Sequence, residues 1–315
     1  MLKSILKNNT LIANDYIEFN TASNGHYTIG TIGGNPNSST DDNKKMLFGH
    51  PGGGTSKTTI VVGESINEFT SSNVTYDADG SKSVSKASYD GVDVTQELSI
   101  IENSATGRDD VVKIKYIVKN DTEYAKQVGI RIMMDTMLGG NDAAPFRVNG
   151  SDVTTETVYS GSNIPQIWQA FDSATNPGVV AQGTFYKSGD RKPDKVQFTN
   201  WGNVTSTLWD YVTQPGRSNG DSAVSITWNK DTFTSGETRE FVTYYGLSEL
   251  EQNLIPPLAL SVYADNKVSI SNFNYDDINA NVYLDNIGDG DATDVSIKIT
   301  ADNLEPKYGT SLTHN

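Results

Sequence analysis

Apolar and polar residues alternate with a period of two along most of the chain, which is the repeat of a strand with one face buried and the other solvated. In VVKIKYIVKN, Ile114, Tyr116 and Val118 share one face, while Lys113, Lys115 and Ile117 share the other. In QVGIRIMMDTML, Val128, Ile130, Ile132 and Met134 fall on one side. The runs TTIVVG, EFVTYYGL, AVSITW, VSISNF, NANVYL and VSIKIT are also extended in character, and Asn, Asp, Gly and Ser clusters that favour turns separate them. One segment has a helical signature: SELEQNL at 248–254, with Ser248 as cap and Glu251 three residues on, as in a capping box. The pattern predicts an all-β protein with one short helical turn.

Pro256 and Pro257 stiffen the chain, interrupt any ladder and place a domain boundary. Residues 1–255 have the length of a large two-sheet β-sandwich. Residues 258–315 hold four candidate strands, at 258–264, 267–273, 279–286 and 295–300. An Ig-type sandwich uses about seven strands, so this second unit reads as a smaller, incomplete Ig-like β-sandwich. An unclosed sheet leaves backbone groups unpaired along an edge, and a strand from another copy can cover them. Residues 4–14 are the candidate donor, which makes a homo-oligomer or surface assembly the expected partner.

Composition narrows the function classes. With 39 acidic and 24 basic residues the formal charge is -15, which repels phosphate backbones and anionic lipid, so nucleic acid is not an expected partner. The chain has no Cys, which excludes disulfides, thiolate catalysis and cysteine-ligated zinc. No apolar stretch reaches the roughly 18 residues of a membrane span, so no membrane insertion is expected. Lys3 and Lys7 are not followed by the apolar core of a secretory signal, and the expectation is a chain not exported by the Sec route.

GHPGGGTSKT at 49–58 invites a phosphate-loop reading, but the glycine positions that the motif requires ahead of Lys57 hold Pro51 and Ser56. The next residues are β-branched, so no helix N-terminus is at hand to face an anion. The segment reads as a glycine turn, Gly52 to Gly54, feeding a strand at 58–62. The three histidines, His26, His50 and His314, lie in polar or glycine-rich segments and suggest no Ser-His-Asp triad.

Two kinds of candidate chemistry remain. Oxygen ligands for Ca²⁺ are concentrated in DTMLGGNDAAPF, where Asp135, Asn141 and Asp142 bracket a Gly139-Gly140 turn, and in YDADGSKS, where Asp77 and Asp79 precede Gly80. Neither loop carries EF-hand spacing, and Asp and Asn also cap turns without an ion. Flat aromatic faces for a glycan are offered by Trp168, Trp201 and Trp209. Asp135, Asp142, Glu156, Asp172 and Asp210 are the carboxylates that a glycoside-active site would draw on.

NANVYLDNIGDGDATDVSIKI, residues 279–299, resembles the Ig-like repeats of bacterial surface proteins, in which a strand, an N-x-G-D turn and a second strand recur. The stretches at 128–148 and 164–184 are similar to large, poorly characterised β domains that precede such repeats in bacterial surface or spore-associated proteins. The resemblance implies a non-enzymatic structural or adhesive protein of a bacterial cell or spore surface. A carbohydrate-binding or glycoside-active β-sandwich is the alternative.

Overall fold

The computed structural model describes residues 11–77, 80–103, 106–248, 258–264, 270–271, 274–275 and 280–286. Two large antiparallel sheets dominate. The six-stranded sheet runs, in spatial order, Thr157–Ser160, Lys195–Asn200, Ser222–Phe233, Lys126–Asp135, Lys57–Val62 and Ser65–Glu68. The nine-stranded sheet runs Ser151–Val153, Phe146–Val148, Ile167–Phe171, Val180–Thr184, Thr238–Leu247, Arg108–Asn120, Val92–Asn103, Lys82–Tyr89 and Val74–Tyr76. A three-stranded sheet, Leu11–Ala13, Ile17–Thr21 and Tyr27–Thr31, adds Ile17, Phe19, Tyr27 and Ile29 to the same core.

Side chains from the facing sheets interlock, as in a β-sandwich. Trp228 of one sheet meets Phe241 of the other edge-on at 5.5 Å, and Phe198 packs against both Phe146 and Trp168. Thr58 Oγ1 reaches Tyr116 Oη across the core at 2.6 Å, and the Tyr116 hydroxyl also accepts from Gln96. The period-two reading holds closely in Arg108–Asn120, where Val112, Ile114, Tyr116 and Val118 are all fully buried.

In Lys126–Asp135 the apolar face, Val128 to Met134, lies on the core as alternation predicts, yet the opposite face is buried too. The segment 201–219 covers it. Trp209 lies over Gly129, where an added Cβ would come within 2.7 Å of the indole, and the ladder register shifts between Val128 and Ile130. Only a residue without a side chain leaves room for that ring.

The glycine turn leads into the strand Lys57–Val62, with Gly49 at φ +79°, and no helix follows it. Past Leu258, Leu258–Ala264 pairs with Ala280–Asn286 and Ile270–Ser271 with Asn274–Tyr275. No described residue after 258 joins either large sheet. The helical turn expected at 248–254, the proline boundary, the strand expected at 295–300 and the donor segment 4–14 lie wholly or mostly outside the described residues. A four-residue helix, Trp201–Val204, appears instead at the start of the covering segment, capped by the Asn200 side chain.

Candidate functional site

The three tryptophans expected to face a glycan do not form one surface. Trp168 is 1% exposed and belongs to the core. Its indole fills the space left by Gly183, where a Cβ would approach to 2.0 Å, and it stacks on Tyr245 at 5.3 Å between ring centres. A ring closed on both faces cannot stack on a sugar. Trp201 is half-buried against Met133, Val204, Tyr211 and Ala223, and Trp209 is half-buried over Gly129, so both help to seal the outer face of the six-stranded sheet.

Two buried charged groups fasten that covering segment. Arg131 donates to the carbonyls of Val204 at 2.7 Å, Thr207 at 3.0 Å and Trp209 at 2.9 Å. Burial lowers its guanidinium to about 10. Glu156 accepts from Thr199, Asn203, the Tyr211 hydroxyl and the Gln214 N–H, all within 3.0 Å. Burial pushes its carboxyl up, but these donors outweigh that effect and hold it below its ordinary value. Glu156 is therefore an anchor. Asp172 caps its own loop by accepting from the Gly178 and Val179 amides, and the exposed Asp210 sits 3.6 Å from Lys195. The five carboxylates do not converge as a set around a cleft, although Asp135 and Asp142 do come together.

His50 bridges Thr28 Oγ1 at 3.1 Å and Glu18 Oε1 at 3.0 Å, an order of groups that superficially matches a nucleophile, base and acid. Thr28 is 1% exposed, so no substrate reaches its hydroxyl, and the arrangement ties the glycine turn to the three-stranded sheet. His26 pairs with Glu68 at 3.1 Å. Both histidines are held by carboxylate partners rather than left open to solvent.

The acidic loops separate into two outcomes. Asp77 caps a turn, its carboxylate accepting from the Lys82 amide and the Ser81 hydroxyl, and Asp79 lies outside the described residues. Asp135 and Asp142 do meet, but Asn141 turns away. Its amide donates to the Asp172 carbonyl at 2.9 Å and its oxygen accepts from the Ala143 N–H. The third acid is Asp221, 79 positions beyond Asp142 and unmarked in the sequence except by its N-G-D turn before a strand. One oxygen from each of Asp135, Asp142 and Asp221 lies within 4.8 Å of the others. Burial raises the Asp135 carboxyl to about 7, the Thr55 hydroxyl opposes this, and Asp221 and Asp142 add to it. Asp221 is raised by burial and then by Asp142.

A separate cleft of about 680 Å³ opens where the chain crosses from one sheet to the other. Thr157–Ser160 ends the six-stranded sheet, the 3₁₀ turn Gly161–Asn163 reverses the chain, and Ile167–Phe171 enters the nine-stranded sheet. Asn149, Tyr159, Ser160, Ser162, Asn163, Gln166, Tyr186 and Tyr283 supply its polar lining, and Val158, Ile164, Pro165 and Ile167 its apolar lining. Asn149 holds a left-handed φ of 49° in the tight turn before Ser151–Val153. Tyr159 packs edge-on to Phe198 at 6.0 Å, and burial pushes its phenol up. Gln166 Nε2 donates to the Tyr186 carbonyl at 3.2 Å. Among the described residues, no Asp, Glu, Lys, Arg or His lines the cleft. Sequence reasoning passed over these residues, because a Tyr-Ser-Gly-Ser-Asn run reads as an ordinary turn.

No protein-family model and no curated protein matches the chain. Among solved structures, a galactose mutarotase related enzyme from Lactobacillus acidophilus aligns at 7% identity over 76% of this chain and 97% of its own, with a TM-score of 0.43. A galactose mutarotase-like protein from Lactobacillus casei ATCC 334 aligns at 10% identity over 76% and 99%, with a TM-score of 0.41. A polysaccharide lyase aligns at 11% identity over 82% of this chain but 36% of its own, with a TM-score of 0.42. Similarities this distant assign neither a fold family nor an activity.

Proposed function

We propose that this is a non-catalytic carbohydrate-binding β protein that takes a neutral oligosaccharide in the cleft between Thr157–Ser160 and Ile167–Phe171. The observation that carries the reading is the lining. In a chain of formal charge -15, the described residues that line the 680 Å³ cleft offer tyrosines, amides and hydroxyls and no ionisable Asp, Glu, Lys, Arg or His. Its volume falls within the roughly 300–1,000 Å³ of small-ligand pockets. Pyranose C–H faces stack on aromatic rings, and sugar hydroxyls exchange hydrogen bonds with Asn, Gln and Ser. A charged ligand would leave its charge uncompensated there. Glycoside hydrolysis needs a carboxylic acid and a carboxylate flanking the bond, and the described residues of the lining supply neither. Adhesion at a bacterial cell or spore surface is the setting we propose, on the resemblance of residues 279–299 to surface-protein repeats.

The test is calorimetric titration of neutral oligosaccharides selected on a glycan array, with uronic acid-containing glycans as the charged control. Binding is expected to be insensitive to salt. Asn163→Ala, at an exposed position, and Tyr186→Ala should each weaken it about tenfold or more. Trp201→Ala and Trp209→Ala should leave it unchanged where the fold is retained. Failure of every neutral glycan to bind, or binding that survives both cleft variants, overturns the proposal. Release of reducing ends from a bound glycan overturns the non-catalytic part of it.

A further inference from the structure

We propose that Asp135, Asp142 and Asp221 form a site for one divalent cation with all-oxygen coordination, Ca²⁺ fitting best. The site lies where the end of Lys126–Asp135, the turn at 139–145 and the entry to Ser222–Phe233 meet. It does not depend on the glycan cleft.

Three observations converge. The carboxylates come from three separate chain segments and bring one oxygen each within 4.8 Å of the others. Ca²⁺ binds oxygen at about 2.3–2.6 Å, so two of its ligands stand at most about 5 Å apart, whereas the shorter Mg²⁺ bonds require about 4 Å. Second, Asp135 is only 2% exposed, and its Oδ1 is buried without a hydrogen-bond partner. Asp142 Oδ1 is likewise buried and unpartnered. Asp135 Oδ2 is occupied by the Thr55 hydroxyl, so the orphaned oxygen is the one left for a ligand. Third, among the described residues no Lys, Arg or His forms an ion pair with any of the three.

Like charges at this spacing are destabilising, and a buried carboxylate oxygen without a partner costs its full desolvation. One proton shared among the acids would neutralise one of the three and leave two negative charges in place. A divalent cation would ligate both orphan oxygens and offset two of the three charges. Oxygen donors without nitrogen or sulfur select a hard ion.

The same site closes the covering segment. Asp221 accepts the Trp201 N–H at 2.6 Å, and Asp142 accepts the Ser222 N–H at 2.8 Å through their backbone carbonyls. An ion would therefore clamp both ends of residues 201–221 through one coordination sphere, and Trp201 is placed to report on it.

The 315-residue chain freed of metal with EDTA at pH 8 would be titrated with Ca²⁺ by calorimetry, and with Tb³⁺ by tryptophan-sensitised luminescence. The expected result is one equivalent bound and a melting midpoint raised by several degrees in millimolar Ca²⁺. Asp142→Asn and Asp221→Asn should abolish the heat and the rise, yet melt in EDTA at or above the wild-type temperature, because each removes a repulsive charge. That second readout separates lost ligation from lost folding. Trp201→Phe should keep the calorimetric binding while losing most of the sensitised emission. A melting midpoint that follows pH but not Ca²⁺, Mg²⁺ or Mn²⁺ would mean that protons alone neutralise the acids, and would overturn the proposal. A Ca²⁺ response that survives both Asn variants would overturn it equally.

Discussion

Glu156 and Asp135 are buried carboxylates at the same end of one sheet, and they have opposite electrostatics. Asp135 pairs with Ala223, Ala223 pairs with Thr199, and the Thr199 hydroxyl donates to Glu156, so one row of the ladder joins the two sites. Glu156 is 3% exposed and Asp135 2%. What differs is the supply of donors. Four groups turn their hydrogens toward Glu156 and keep it ionised, while Asp135 receives one hydroxyl and faces two more acids. Burial sets the stakes for a charge, and the hydrogens aimed at it decide which protonation state wins.

The largest expected effect comes from removing the satisfied charge. Glu156→Ala strands the Tyr211, Asn203 and Gln214 donors under the covering segment and should cost about 3 kcal/mol or more in urea unfolding. If the loss stays under about 1 kcal/mol, the anchor role of Glu156 fails.

Asp135→Asn should act in the other direction. The Asp135 carboxyl is raised in the folded protein to about 7 from an ordinary value of 3.8. Between those values the folded chain holds more protons than the unfolded one, so this group's contribution to stability falls as pH rises and levels off above the folded value. The wild-type chain in EDTA should lose stability relative to Asp135→Asn by up to about 1.4 kcal/mol per pH unit across that window. Equal pH profiles for the two proteins would contradict it. Glu156 follows the opposite rule: its contribution is complete at neutral pH and is lost in acid, as pH falls below the ordinary 4.5 and through its lowered folded value.

Arg131→Met keeps the stem of the side chain but removes the three bonds to the 204, 207 and 209 carbonyls. A loss of about 2 kcal/mol is expected, with faster amide exchange across 201–212. Unchanged exchange there would show that Trp201 and Tyr211 hold the segment without it. The smallest effect belongs to Asn141→Ala. As a turn residue it should cost about 1 kcal/mol, equally with and without Ca²⁺. A cost seen only with Ca²⁺ would restore it as a ligand.

What the sequence by itself determined was local. Alternation at 112–118 and 128–134 marks strands and their core faces, because side chains in an extended backbone must point to opposite sides and one side must leave water. The Gly139-Gly140 turn places Asp135 and Asp142 in one short loop region for the same reason: seven residues cannot stray far. Tertiary structure alone decided the rest. Asp221 joins the acids from 79 positions beyond Asp142, and Asn141 is drawn off by the Asp172 carbonyl. Trp168 reads like a ligand platform until Gly183, on the neighbouring strand, proves to be the hole its indole fills. The cleft between Thr157–Ser160 and Ile167–Phe171 forms where the chain leaves one sheet for the other. Periodicity constrains which way a side chain points, but which groups meet across 30 or 100 residues depends on strand order and register, and no local pattern carries that information.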